Sequence, residues 1–186
     1  RVWWSFRTFG HDLVAVLDGG LTGWLAAGLP VSDTPPRIRP SAFPACLRPE
    51  QVRSAAEVRE MIGASQSQIV DARPARRYAG LDPEPRPAAR RGHIPGAANL
   101  PFITLTDPER PGMWLQPSQL ATAFTAAGVD PALPITAYCG SGVTACAIAF
   151  AAHLLGSDAV AVYDGSWAEW GNRDDLPVVT GEGRDG

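Results

Sequence analysis

Apolar and polar positions along the chain fall into two kinds of run. Short, nearly uninterrupted apolar runs bounded by turn formers read as strands buried on both faces. Gln68 to Ala72, Ala97 to Leu100, Leu133 to Ala137 and Ala159 to Tyr163 are of this kind. Longer stretches between them read as helices: Pro49 to Ile62, with proline in its first turn, Gln116 to Ala127, stopped by Gly128, and the buried Ala147 to Leu155. Residues 73 to 92 are rich in arginine and proline and read as a loop with a helical turn. Strands that alternate with helices predict an α/β fold, a parallel sheet with helices on both faces. Ligands of such sheets bind beyond the C-terminal ends of the strands.

The pattern near the start returns near the end. Phe9 to Gly20 (FGHDLVAVLDGG) matches Leu155 to Ser166 (LGSDAVAVYDGS), and Trp24 pairs with Trp170 at the same offset. Each copy reads helix, glycine turn, strand, Asp-Gly turn and a short tryptophan-bearing helix, the mark of a duplicated unit. The second copy follows roughly 100 residues of α/β sequence, whereas the first copy lies next to Arg1. Residues 1–30 are therefore expected to be the C-terminal end of a truncated first unit, which continues upstream by roughly 100 residues. Trp3, Trp4, Phe6 and Phe9 would form an apolar helix face with no strands to cover it, so the chain alone is expected to aggregate or work weakly. Residues 31–45, with Pro35, Pro36, Pro40 and Pro44, read as a stiff linker, and residues 46–182 as a complete second domain.

Composition narrows the function classes. The 186 residues are 45% hydrophobic with a net charge of −3, as in an ordinary globular protein. No run of about 18 apolar residues occurs, so no membrane span is expected. No signal peptide is evident, and neither nucleic acid nor a membrane is expected as a partner. All sixteen basic residues are arginines, which excludes a Schiff-base lysine and a P-loop. Three cysteines, Cys46, Cys139 and Cys146, make neither a disulfide framework nor a zinc signature. They fit a reducing compartment, read as the cytoplasm, with one working thiol. No metal or organic cofactor is expected.

Cys139 has the setting of a working thiol. It ends a buried strand and opens the turn Cys139-Gly140-Ser141-Gly142-Val143-Thr144, which feeds a helix N-terminus. The glycines allow a tight turn whose N–H groups can form an anion-binding nest, and the helix dipole adds positive charge. Both effects favour a thiolate. The residues alone leave two readings open, a nucleophile and a buried structural cysteine. Six of the sixteen arginines (Arg73, Arg76, Arg77, Arg86, Arg90 and Arg91) crowd one span after a strand end. They read either as a solvated face or as carboxylate-binding forks on the same rim as Cys139.

The loop from Cys139 to Thr144 resembles the active-site loop of rhodanese-type sulfurtransferases. So do Asp71-Ala72-Arg73, Arg77-Tyr78, Glu84-Pro85-Arg86, Gly92 to Ala97 and Asp164 to Trp170. The similarity is to the second unit of a tandem rhodanese protein, in the version typical of 3-mercaptopyruvate sulfurtransferases. It implies Cys139 and Ser141 as catalytic residues. Gly140, Gly142, Val143 and Thr144 would cradle the substrate sulfur, and Arg77 and Arg86 would hold a substrate carboxylate. Thiosulfate sulfurtransferases of this family carry Arg-Lys where this chain has Gly140-Ser141, and typically lack the arginine at 86. The resemblance also implies a histidine and an aspartate beside Ser141, supplied from upstream of Arg1. The acceptor would be cyanide or a thiol, either a small molecule or a thioredoxin-like protein. Asp164 to Trp170 itself reads as structural: an Asp-Gly turn, a cap at Ser166 and tryptophans packing on the sheet.

Three functions compete on this basis. The first is sulfur transfer from 3-mercaptopyruvate through a Cys139 persulfide, with thiosulfate as the nearest alternative donor. The second, a cysteine phosphatase, needs an arginine where Ala145 stands. The third is a non-enzymatic rhodanese-like binding module. His93, in a Gly-His-Ile-Pro-Gly turn, reads as a structural histidine, and His11 and His153 as incidental.

Overall fold

The computed structural model describes residues 1–64 and 68–184. Among these, five strands form one parallel sheet: β1 (Val52–Arg53), β2 (Gln68–Asp71), β3 (Ala98–Asn99), β4 (Ile135–Tyr138) and β5 (Val160–Tyr163). Their spatial order is β1-β5-β4-β2-β3, so β4 is the middle strand. In its register Val70 faces Ala137, and Asp71 faces Tyr138. Strand alternation divides the core in two. Val70, Ala137, Cys139 and Val162 lie in one cluster, covered by α1 (Val2–Thr8), α5 (Pro117–Ala126) and α6 (Ala145–Leu154). Ile69, Tyr138 and Tyr163 lie in the other, covered by α3 (Ala55–Met61), α4 (Ala75–Tyr78) and α7 (Ser166–Trp170). The anticipated α/β architecture, with helices on both faces, is present. No helix among the described residues is long and apolar enough to cross a membrane.

Three expectations are corrected. Pro49 to Ile62 is not one helix. Pro49–Gln51 forms a 3₁₀ turn, Val52–Arg53 is the edge strand β1, and α3 begins only after Ser54. Ser54 and Glu57 make a reciprocal capping box, with the Ser54 N–H donating to Glu57 Oε2 at 2.8 Å. That start signal was legible inside the run, but the proline at 49 masked it.

The strand expected in the first repeat copy does not form. Residues 11–17 are irregular, and Leu13 is 93% exposed. Its counterpart β5 is sandwiched between β1 and β4. A strand needs paired neighbours for its backbone groups, and among the described residues no strand pairs with residues 11–17. The Trp24-bearing helix α2 (Gly20–Ala26) does form, without a buried residue.

The tryptophans of α1 are not left uncovered. Trp3 packs edge-on to Phe150 of α6 at 4.9 Å between ring centroids, and Trp4 is buried beside it. The face divides: Trp3 and Trp4 join the core cluster that holds Val70, Ala137 and Val162, while Phe6 and Phe9 stay exposed. Residues 29–48 form neither helix nor strand.

Candidate active site

The segment 139–144 bridges the middle strand β4 and the ten-residue helix α6. Cys139 is buried at its start. Its N–H donates to Ser166 Oγ at 3.1 Å, and the Ser166 hydroxyl donates on to the Tyr163 carbonyl at 2.8 Å. The carbonyls of Cys139 and Gly140 accept the N–H groups of Trp167 and Ala168, both at 2.9 Å. The start of α7 thus holds both residues that open the loop. Gly142 closes the loop from behind with φ +73°, and a Cβ there would lie 2.2 Å from Asp164 Oδ1. Only glycine meets both constraints. Arg1 donates to the Gly142 carbonyl at 3.1 Å and pairs with Asp164. The N–H groups of residues 140–144 donate to no acceptor among the described residues. Five unclaimed donors at the head of a helix favour an anion.

Across from the loop stand the arginines that follow β2. Arg73 is buried and donates to Asp71, to Glu84 Oε1 at 2.7 Å and to the Gly92 carbonyl at 2.7 Å. It stacks under Trp167, 4.4 Å from the ring centroid. Desolvation opposes its charge, but Asp71 and Glu84 outweigh this and its pKa is raised. Arg77, from α4, donates through Nε to Glu84 Oε2 at 3.1 Å and pairs with the same oxygen through Nη2. Its Nη2 lies 2.8 Å from where a Cβ on Gly140 would stand. Arg86 is exposed, with neither ion pair nor hydrogen bond to a described residue.

These groups meet in one open cleft of about 160 Å³. Of the residues anticipated from sequence, Cys139, Gly140, Ser141, Val143, Thr144, Arg77 and Arg86 line it. Gly142 does not; it faces Asp164 and Arg1 on the loop's far side. Glu84 and Trp167 line the cleft without having been anticipated. An acid two positions before Arg86 in an arginine-rich loop was the available signal for Glu84. Ser166, read as a structural cap, accepts the Cys139 N–H because the β4–β5 pairing brings it there. His93 is buried, stacked on Tyr78 at 3.7 Å and bonded to the Tyr78 carbonyl, and it does not line the cleft. Cys146 is buried behind the loop, its Sγ 3.3 Å from the Gly142 carbonyl, and burial pushes its thiol up to about 11.

The sheet and cleft define a class, α/β domains that carry a cysteine on the loop between the middle strand and the next helix. Residues 54–173 match the model of the rhodanese-like domain, and the chain belongs to that family. It is 42% identical to 3-mercaptopyruvate sulfurtransferase of Homo sapiens over 184 residues, covering 99% of this chain and 61% of that protein. It is 41% identical to thiosulfate sulfurtransferase of Bos taurus over 187 residues, covering 100% of this chain and 62% of that protein. The chain thus spans about three-fifths of the length of these relatives. Among solved structures it superposes on SseA of Escherichia coli, a 3-mercaptopyruvate sulfotransferase, with TM-score 0.76 and 38% identity over 90% of this chain and 61% of that one. It also superposes on the anaerobic ergothioneine biosynthesis enzyme of Chlorobium limicola with TM-score 0.86 and 28% identity, over 97% of this chain and 44% of that one. The closer superposition accompanies the lower identity, so backbone shape alone does not discriminate between substrates.

Proposed function

We propose that this chain carries the sulfur-transferring site of a 3-mercaptopyruvate sulfurtransferase. The Cys139 thiolate attacks the sulfur of 3-mercaptopyruvate. The carbon–sulfur bond breaks, its electron pair stays on carbon, and that carbon takes the thiol proton to give pyruvate. Cys139 is left as a persulfide, whose charge the N–H groups of residues 140–144 would balance. A thiol, from a small molecule or a thioredoxin-like protein, or cyanide then attacks the outer sulfur and restores the thiolate. Ser141 lines the cleft, where its hydroxyl would hydrogen-bond the donor's keto oxygen. Three unpaired cysteines fit a reducing cytoplasm.

One observation carries the choice of donor: Cys139 shares its cleft with Arg77 and the unpaired Arg86, while Gly140 and Ser141 put no charge inside the loop. Two guanidinium groups suit a carboxylate remote from the reacting sulfur. Thiosulfate is the second reading, favoured by the nearly equal identity to the bovine thiosulfate sulfurtransferase. The test is mass spectrometry of the protein after donor treatment. Sulfur transfer adds one sulfur atom to Cys139, and Cys139→Ser abolishes turnover with either donor while the fold stays intact. Labelling at Cys46 or Cys146 instead, or none at all, would contradict the assignment and leave a binding module.

A further inference from the structure

Arg77 and Arg86 both line the cleft, yet they are held differently. Arg86 has no partner among the described residues, whereas Arg77 is fixed by Glu84. Glu84 is itself fixed. Its side chain is only 7% exposed, and its second oxygen takes Arg73 Nη1 at 2.7 Å. Arg73 is anchored to Asp71 at the end of β2, with both side chains buried. Charges therefore alternate from the sheet to the cleft: Asp71, Arg73, Glu84, Arg77. The last guanidinium of this row rests against Gly140, the residue after Cys139.

We propose that Glu84 is a positioning residue, which locks the Arg77 guanidinium over the Cys139 loop as a rigid anion guide. The inference rests on the reading of Cys139 as the cleft's nucleophile. A free arginine samples many rotamers, and ordering it at each encounter costs entropy. Two bonds from one buried carboxylate settle that cost during folding. Arg77 keeps donor capacity besides those bonds, because a guanidinium has five N–H groups. A negative charge at a site for anions would on Coulomb grounds repel them, so its presence is explained by orientation.

Orientation and charge predict opposite signs for one measurement. Cys139 is alkylated with iodoacetate, an anion, and separately with iodoacetamide, its neutral counterpart, and the rates are read on the Cys139 peptide. The neutral reagent reports thiolate fraction and folding, so the ratio of rates reports anion guidance alone. In Glu84→Gln the positioning role lowers this ratio, by about 3- to 10-fold for a misplaced group of this kind. Arg77→Gln lowers it likewise, and the double variant falls no further, because Glu84 acts through Arg77. A ratio in Glu84→Gln that rises or stays level, or losses that add in the double variant, would overturn the proposal. The measurement needs no sulfur donor. A lowered ratio in protein that forms no persulfide would leave the positioning role standing and remove the sulfurtransferase reading.

Discussion

The backbone N–H of Cys139 donates to the hydroxyl of Ser166 at 3.1 Å, across 27 positions of sequence. Ser166 is buried and holds φ at 51°, in the left-handed region. Ser166→Gly keeps that backbone but leaves the Cys139 N–H without its acceptor. The bond's loss, partly offset by relief of the left-handed strain, is expected to cost about 1 kcal/mol. Ser166→Val adds a β-branched side chain at a positive φ and costs more. Urea midpoints should rank wild type, glycine, valine, and persulfide formation should slow in the glycine variant. An undiminished rate there would show that the loop holds its shape unaided.

Arg86 is expected to set donor preference. Mercaptopyruvate keeps its carboxylate away from the reacting sulfur, whereas thiosulfate concentrates its charge beside it. Arg86→Ala should lower kcat/KM for mercaptopyruvate by roughly 10- to 150-fold, the loss of one charge-assisted hydrogen bond. Thiosulfate turnover should change much less, and replacing Gly140-Ser141 by Arg-Lys, once the Arg77 guanidinium gives way to the new side chain, should favour thiosulfate. Equal losses with both donors would make Arg86 a general structural residue.

Cys146 gives a dependence on alkaline pH. Burial raises its folded-state pKa from 9.0 to about 11. A group raised on folding contributes fully below its unfolded pKa, and that contribution is lost as pH rises towards the folded value. Stability should therefore decline between 9.0 and about 11, by up to roughly 2 kcal/mol from this thiol. Urea midpoints of Cys146→Ala across this range should lack that part of the decline. Native protein at neutral pH should label at Cys139 and the exposed Cys46 before Cys146; equal labelling would refute the buried, protonated state.

The split face of α1 is testable by paired substitutions. Trp3→Ala removes a buried ring from Phe150 and His153 and should cost about 3–5 kcal/mol. Phe6→Ala, at an exposed position, should cost less than about 1 kcal/mol. Equal effects on the urea midpoint would mean that the two rings share one environment.

The parallel sheet was legible because β2, β4 and β5 are buried on both faces and read as apolar runs. Cys139, Ser141, Arg77 and Arg86 were named from motifs that resemble those of the family, and the fold brings the four to one cleft. The edge strand β1 was not, since Val52–Arg53 carries too little pattern to interrupt an apparent helix. The first repeat copy misled for the opposite reason: its local pattern matches β5, but a strand is completed by partners. Ser166 escaped because only the β4–β5 pairing brings it to Cys139, and Glu84 because the acid in its arginine-rich loop does not say which arginines it holds. Gly142 was placed on the cleft by its motif, whereas its side of the loop is taken by Asp164.

The 2.8 Å between Arg77 Nη2 and the place of a Cβ on Gly140 bears on how such a site can diverge. Any side chain at 140 must displace the present Arg77 guanidinium, so the two positions are epistatic. An arginine arriving at 140 first meets an occupied space and a like charge, whereas one arriving after Arg77 has moved meets neither. Adaptation from one sulfur donor to another along this loop therefore depends on the order of substitutions, and single exchanges sampled one at a time will understate what the pair can reach.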